Sequence, residues 1–158
     1  MNETLDVIPL SVSSPLRACK NVSCSPLWIE RSDGEYLVDY DGRKYIDFMY
    51  GFGPIILGYR NKPIMDALKA QIEKGTIFGT ANYEEHKLAQ LICQSTPEIK
   101  RVRFINSGTE AVASAVRLAR AYTQRTKVLT FHGNYHGHSD LFINGDAKRA
   151  GIDPAIRL

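Results

Sequence analysis

The sequence has few of the features that mark several classes of protein. Its 158 residues include three cysteines, and no stretch approaches the roughly 18 to 20 apolar residues that cross a membrane. The cysteines are odd in number and lack a CxxC spacing, which favours free thiols in a reducing compartment over a disulfide framework. The amino terminus lacks the basic and apolar regions of a secretory signal. We therefore expect a cytoplasmic protein that does not enter the membrane.

The sequence also lacks a large excess of charge of either sign. The 20 Lys and Arg residues nearly balance 17 Asp and Glu residues, giving a net charge of +3, and the basic residues are scattered along the chain. This pattern does not predict a nucleic-acid partner. The sequence contains neither GxGxxG nor GxxxxGK[ST], so a dinucleotide site or a Walker-type nucleotide site is not supported. A hydrophobic content of 44% excludes a disordered chain.

The first part of the chain is predicted to be β-rich after an irregular start. Residues 1–27 contain three prolines and five serines, which is typical of an extended lead-in. Residues 28–60 contain three β-rich runs separated by Asp-Gly pairs at 33–34 and 41–42. Asp-Gly between such runs is a strong signal for a type I′ hairpin turn. We predict a three-stranded antiparallel meander followed by a glycine-rich loop.

Residues 61–97 are predicted to be helical. Residues 62–74 place Ile64, Leu68 and Ile72 at four-residue steps, which indicates one apolar helix face. A second helix is expected over residues 83–95, where it would end before Pro97.

Residues 98–158 read as the start of a larger α/β domain. Short β-rich runs at 101–105 and 127–131 flank a helical pattern at 111–122. A strand–helix–strand unit implies a right-handed crossover and a parallel sheet. Parallel sheets are covered by helices on both faces, and no further strand pattern follows residue 145. We therefore expect an incomplete α/β fold: a small α+β subdomain, then the first βαβ unit of a mostly parallel sheet.

The predicted turn between the strand at 101–105 and the following helix is a candidate anion site. Amide groups and the positive dipole end at a helix N-terminus attract phosphate. Gly108 allows close approach of the backbone, and Ser107 and Thr109 could add hydroxyl donors. The same residues also fit an ordinary helix start, in which Ser107 and Glu110 form a capping box.

The run after the second predicted strand, residues 131–140, permits three readings. Tyr135 offers a flat aromatic face that could stack on a planar ring. His136, His138 and Asp140 are similar to the opening of a metallo-hydrolase pattern, although its final histidine is absent. The third reading is a loop with solvated histidines.

The two turns follow consecutive predicted parallel strands and should open on the same edge of the sheet. Ligands of α/β sheets bind at that edge. Phosphate donors on one turn and an aromatic platform on the other suit a small phosphorylated heteroaromatic cofactor, and the combination favours pyridoxal phosphate.

Several stretches resemble the class III (fold type I) pyridoxal-phosphate-dependent aminotransferases. The similarity runs from about residue 8 to about residue 143 and is greatest to the glutamate-1-semialdehyde aminomutase branch. It implies the transferase fold of that family, pyridoxal 5′-phosphate as cofactor and a homodimeric parent enzyme. The implied reaction is the intramolecular amino shift that gives 5-aminolevulinate, a porphyrin precursor. The matching stretches include SPLRA at 14–18, NSGTEA at 106–111, RLARAYT at 117–123 and FHGNYHGH at 131–138.

The resemblance implies roles for matching positions. Arg17 matches the arginine that holds the substrate carboxylate, with Ser14 nearby, and Phe52 stands where the aminomutases have tryptophan. Arginine suits this role because its guanidinium binds carboxylates in a bidentate manner. The residues implied to hold the cofactor phosphate and ring are Ser107, Gly108, Thr109, Tyr135 and His136.

The resemblance also implies that two groups needed for catalysis lie outside the matching stretch of sequence. In the family, the Schiff-base lysine and the acidic partner of the pyridine nitrogen come from beyond the matching region. We therefore assign no catalytic residue here and expect the 158-residue chain alone to be inactive. Three alternatives remain open: an intermolecular aminotransferase for another amino acid or amine, a noncatalytic remnant, and a metal-dependent hydrolase.

Overall fold

The computed structural model describes residues 7–131, 133–140 and 142. The chain divides into two units, Met1–Gly79 and Thr80–Leu158, and each is described by itself. His132 of the histidine-rich run and the weakly patterned end of the chain lie outside the described residues. In the described part of the chain, no helix combines the length and apolar character needed to cross a membrane.

The first unit contains the predicted meander. Its strands are β1 (Ile29–Asp33), β2 (Tyr36–Asp39) and β3 (Lys44–Ile46), and they form an antiparallel sheet in the order β1-β2-β3. Val38 in the central strand is 2% exposed and is the largest fully buried side chain among the described residues. The three-stranded antiparallel meander is thus confirmed.

The first hairpin turn differs from the prediction. Asp33 pairs with Tyr36, so the central residues of the turn are Gly34 and Glu35 rather than Asp33 and Gly34. Of these, only Gly34 has a positive φ, at 53°. Glycine at the first central position is typical of a type II′ turn, so the type I′ prediction is wrong. Gly34 also pairs with Tyr59: its N–H donates to the Tyr59 carbonyl at 3.1 Å and its carbonyl accepts at 2.7 Å.

The second turn is organised by the carboxylate of Asp39. This side chain accepts hydrogen bonds from the amides of Asp41 (3.0 Å) and Arg43 (2.8 Å) and from the Tyr45 hydroxyl (2.8 Å). Burial opposes ionisation of Asp39, but these bonds outweigh it and lower the pKa of the carboxyl below its ordinary value. Gly42 completes the turn with φ at 81°, and its N–H donates to the Asp39 carbonyl at 3.0 Å.

A second carboxylate connects the glycine-rich loop to the sheet. Asp47, at 9% exposure, directly follows β3 and accepts the amide of Met49 at 2.8 Å and the Tyr59 hydroxyl at 2.6 Å. The bond from Tyr59 is the main cause of a lowered pKa at Asp47, and the same bond raises the pKa of Tyr59. Tyr59 lies near the end of the glycine-rich loop, and it also pairs with Gly34 in the first hairpin turn. Through these two contacts, Tyr59 links the end of the loop to Asp47 before its start and to the meander.

The lead-in before the meander contains short turns of 3₁₀ helix. They span Pro9–Ser11, Pro15–Ala18 and Lys20–Val22, and Ala18 is 6% exposed. Two of the three begin with proline, whose fixed φ suits the first position of a helical turn.

The first unit ends with helix α1 (Lys62–Ile72), which confirms the helix predicted there. The side chain of Asn61 caps it by accepting the N–H of Ile64 at 3.4 Å. The apolar face of the helix is exposed to solvent: Ile64, Leu68 and Ile72 are 45%, 52% and 63% exposed.

The second unit contains the other two predicted helices. Helix α2 spans Tyr83–Ser95, as predicted, and the Asn82 side chain caps it by accepting the Glu84 N–H at 2.7 Å. Helix α3 spans Gly108–Thr123 and begins three residues before the predicted start. After the last helical residue, Gln124 caps the helix in a left-handed conformation with φ at 58°.

The runs flanking α3 depart from the prediction. Residues 101–105 and 127–131 are assigned no strand, and the described part of the second unit contains no β-ladder. A strand exists only where a neighbour accepts and donates its backbone hydrogen bonds, and these two runs do not pair with each other. Leu129 and Phe131 are 88% and 67% exposed, as expected for a run without a covering layer. The described fold is therefore a partial α/β structure with a small antiparallel sheet.

The Asp47–Tyr59 hydrogen bond should make stability depend on pH. Since the pKa of Asp47 in the folded chain is below its ordinary value of 3.8, its contribution is complete above that value. The contribution is lost as the pH falls through the folded-state pKa. Tyr59→Phe should lower the free energy of unfolding by about 1 kcal/mol at neutral pH. It should also reduce the loss of stability below about pH 4, as measured by urea titration.

Asp66→Asn provides the control. This carboxylate is 54% exposed and lies 2.7 Å from the Lys62 ammonium in a surface ion pair, which contributes little to stability. We expect this variant to keep the acid dependence of the unmodified chain. An unchanged acid dependence in Tyr59→Phe would contradict the role given to this bond.

Candidate functional site

The first turn of α3 and residues 133–140, here called the aromatic loop, enclose a pocket in the second unit. The volume of this pocket is about 290 Å³, close to the lower end of the roughly 300–1,000 Å³ typical of small-molecule sites. Gly108 and Tyr135 both line it, so the two turns that the sequence predicted to open on one edge do meet. The lining residues are Gly108, Thr109, Val112, Tyr135, His136 and Gly137.

Ser107 is the N-cap of α3. Its Oγ accepts the Glu110 N–H at 3.3 Å, which is the N-cap half of the predicted capping box. The Glu110 carboxylate accepts the Ser107 hydroxyl at 2.8 Å, whereas in a full capping box it would accept the Ser107 amide, so the second half differs from the prediction. The cap satisfies the amide of Glu110. Helix geometry leaves the N–H groups of Gly108 and Thr109 without intrahelical acceptors, and the positive end of the helix dipole lies with them. This end of the pocket can therefore accept an anion.

The Thr109 hydroxyl is shared with the aromatic loop. Its Oγ1 accepts the backbone N–H of His138 at 3.3 Å and lies 3.1 Å from Nδ1 of the same residue. The sequence suggested that the Ser107 and Thr109 hydroxyls donate to a phosphate. In the structure both hydroxyls are hydrogen-bonded within the protein, so the main-chain amides of Gly108 and Thr109 are additional candidate donors to an anion. The roles of Ser107 and Thr109 in binding a phosphate stay predictions.

Gly137 allows the aromatic loop to lie directly on α3. It is buried, with φ at 98°, and a Cβ at this position would lie 2.8 Å from Oγ1 and 3.0 Å from Cα of Thr109. Any side chain would therefore separate the loop from the helix. The sequence analysis assigned no role in the pocket to Gly137 or Val112. The YHGH motif contains Gly137 and could have drawn attention to it. Val112 could not be distinguished from other apolar positions of the helix.

Tyr135 and His136 line the other end of the pocket, here called the ring end. The Tyr135 side chain is 78% exposed beside the pocket and can offer its face to a planar ligand. His136 is half-buried, and its Nε2 is a buried atom with no hydrogen-bond partner among the described residues. A buried imidazole nitrogen without a hydrogen-bond partner lowers the stability of the fold.

The three candidate substrate residues belong to the first unit. Ser14 and Arg17 share the turn at Pro15–Ala18: the Ser14 carbonyl accepts the Arg17 N–H at 3.0 Å, and the Arg17 side chain is exposed. Phe52 is 63% exposed and has a left-handed φ of 65°, within a run of positive φ values over residues 50–53. A non-glycine residue in this region is strained by about 1 kcal/mol or more. Their roles in binding a substrate stay predictions.

The metal-site alternative has no support in the described part of the chain. No group of three or more His, Cys, Asp or Glu side chains there could hold a metal ion. The Nδ1 of His138 faces the Thr109 hydroxyl rather than His136 or Asp140.

Comparison with known proteins gives a consistent result. Residues 18–152 match the family described as aminotransferase class-III. The chain is 50% identical over 141 residues to the glutamate-1-semialdehyde 2,1-aminomutase 2 of Bacillus cereus, covering 89% of this chain and 33% of the relative. The chain thus spans about a third of the length of the curated relatives it matches.

Solved structures of transaminases share the fold. An omega-transaminase from Sphaerobacter thermophilus superimposes with a TM-score of 0.78 at 34% identity, over 86% of this chain and 30% of that one. The taurine:2-oxoglutarate aminotransferase of Bifidobacterium kashiwanohense was solved in complex with PLP and glutamate. It gives a TM-score of 0.71 at 28% identity, over 83% of this chain and 32% of that one. The match of most of the sequence to one family, together with these shared folds, shows that the chain belongs to the class-III aminotransferases.

Proposed function

We propose that the pocket between α3 and the aromatic loop holds pyridoxal 5′-phosphate. The observation that carries the proposal is the meeting of an anion-accepting helix end and an exposed tyrosine in one pocket of about 290 Å³. Neither feature alone specifies this cofactor. Together they match the two chemically distinct ends of a phosphorylated pyridine ring.

The residues present fit the cofactor. The amides of Gly108 and Thr109 would hold its phosphate at the positive end of the α3 dipole. The Tyr135 ring would lie against the pyridine face, with His136 beside it in the lining of the pocket. When bound, pyridoxal phosphate supplies an electron sink for reactions at an amino-bearing carbon.

Arg17 would bind the carboxylate of an amino-acid substrate. Its guanidinium is exposed and enters no ion pair with the described residues, so it is available for a bidentate interaction with a carboxylate. Ser14 on the same turn can add a hydroxyl, and Phe52 can add an apolar surface. These assignments rest on the match of SPLRA and on the exposure of the side chains.

For the whole protein, we propose the activity of a glutamate-1-semialdehyde 2,1-aminomutase. The 50% identity to the Bacillus cereus enzyme of that name supports this choice of substrate. From the family resemblance, we also propose that the whole protein is a cytoplasmic homodimer with a place in porphyrin-precursor synthesis. An aminomutase moves the amino group within one molecule, so glutamate-1-semialdehyde alone would be a sufficient substrate.

An intermolecular aminotransferase is the second candidate. Phe52, which stands where the resemblance leads us to expect tryptophan, and the fold shared with the Sphaerobacter thermophilus omega-transaminase favour it. The two candidates differ in stoichiometry, because an intermolecular enzyme requires a separate amino acceptor. Conversion of glutamate-1-semialdehyde without an added 2-oxo acid favours the aminomutase, whereas strict dependence on the acceptor favours the aminotransferase.

Gly137→Ala tests the juxtaposition on which the cofactor proposal depends. The added methyl group would meet Thr109 at 2.8 Å and push the aromatic loop away from α3. We expect the dissociation constant for pyridoxal phosphate, measured by visible absorbance, to rise about tenfold or more, which corresponds to roughly 1.4 kcal/mol. Gly133→Ala is the matched control, because Gly133 also has a positive φ of 79° but nothing lies within 4 Å of its Cβ position. Equal effects of the two substitutions would contradict the proposal.

Arg17→Met tests the substrate assignment separately from the cofactor. In the whole protein, whose activity is proposed above, we expect this substitution to raise KM about tenfold or more through loss of a charge-assisted hydrogen bond. The affinity for pyridoxal phosphate should not change. Lys20→Met, which removes an exposed cation from the next turn, should leave KM within twofold of the unmodified protein. An unchanged KM in Arg17→Met would remove Arg17 from the site.

A further inference from the structure

His138 makes two hydrogen bonds to a single hydroxyl group. Its backbone N–H donates to Thr109 Oγ1 at 3.3 Å, and its Nδ1 lies 3.1 Å from the same oxygen, across 29 residues of chain. A hydroxyl group has one hydrogen and two lone pairs. Thr109 can therefore accept from the His138 amide and donate to an unprotonated Nδ1 at the same time.

The position of His138 sets it apart from the residues that line the pocket. His138 is not among the lining residues, whereas Tyr135, His136 and Gly137 are. Gly137 lies against Thr109, and His138 follows it directly. The two hydrogen bonds thus attach the aromatic loop to α3 immediately after the point of closest approach.

We propose that His138 is a positioning residue that fixes the separation between the phosphate end and the ring end of the pocket. This inference rests on the proposed function. His138 acts through the Thr109 hydroxyl and does not touch the cofactor. Without the His138 imidazole, Gly108 and Thr109 keep their amides at the helix end. The aromatic loop then keeps only the Gly137 contact and the backbone bond to Thr109, so the distance of Tyr135 from the helix end is less tightly fixed.

The distinguishing measurement compares two ligands that use different parts of the pocket. Inorganic phosphate needs only the helix end, whereas pyridoxal phosphate needs both ends at the right separation. In His138→Phe, we expect the dissociation constant for pyridoxal phosphate to rise about three- to tenfold, the effect of losing a side-chain hydrogen bond. The dissociation constant for inorganic phosphate should stay within twofold.

Two further variants separate the hydrogen bond from other effects of the substitution. Asn can place an amide oxygen or nitrogen where His138 has Nδ1, so His138→Asn should restore most of the affinity for pyridoxal phosphate. His86→Phe, at an exposed histidine on α2, should change neither dissociation constant. The circular dichroism induced in the bound pyridine ring should decrease in His138→Phe and recover in His138→Asn.

The remaining outcomes overturn one claim or both. Equal weakening of both ligands, or weakening of neither, would show that His138 does not set the separation, although the pocket binds its cofactor. Failure of the unmodified protein to bind either ligand would reject the proposed function. Hydrogen exchange would then decide the inference: a protected His138 amide that loses protection in Thr109→Val supports it, and an unprotected amide overturns it.

Discussion

The site depends on the contact between Gly137 and the first turn of α3. A helix N-terminus attracts anions of many kinds, and an exposed tyrosine can lie against many planar molecules, so neither is selective. Their chemistry becomes specific only when the distance between them is set. Gly137 sets that distance because its missing side chain lets the backbone lie where a Cβ would be 2.8 Å from Thr109 Oγ1. The adjacent hydrogen bonds between His138 and Thr109 then hold the loop in place.

Hydroxyl groups at the helix end are hydrogen-bonded within the protein, which leaves main-chain amides as the proposed ligand donors. Ser107 uses its hydroxyl to hold Glu110, and Thr109 shares its hydroxyl with His138. The anion-accepting groups are then main-chain amides, whose directions are fixed by the helix itself. Such donors need no reordering of side chains when a ligand binds, which reduces the entropic cost of binding.

The sequence was most informative where local chemistry decides the structure. The bounds of α2 followed from its apolar spacing and from Pro97, and the meander followed from alternating β-rich runs with Asp-Gly pairs. The hairpin type was wrong because the strand register pairs Asp33 with Tyr36, which places Gly34 and Glu35 in the turn, and a local turn rule does not contain the register. Residues 101–105 and 127–131 form no strands because a strand also requires partners, and sequence pattern alone does not provide them.

The same distinction applies to the site. The sequence singled out Ser107, Gly108 and Tyr135 because a helix start and an aromatic residue in a glycine-flanked loop leave local signals, and their binding roles stay predictions. The proposed role of His138 was not identifiable from the sequence, since its partner Thr109 lies 29 residues away. The close approach of Gly137 to α3 was hidden for the same reason.

The central claim is that a single small molecule contacts both ends of the pocket at once. The most direct measurement is a titration of isotope-labelled protein with pyridoxal 5′-phosphate, followed by NMR signals of the Gly108 and Thr109 amides and of the Tyr135 ring. The account predicts that all three groups of signals shift along one saturable curve with the same dissociation constant. Shifts at the amides without any change at Tyr135, or two different dissociation constants, would contradict it.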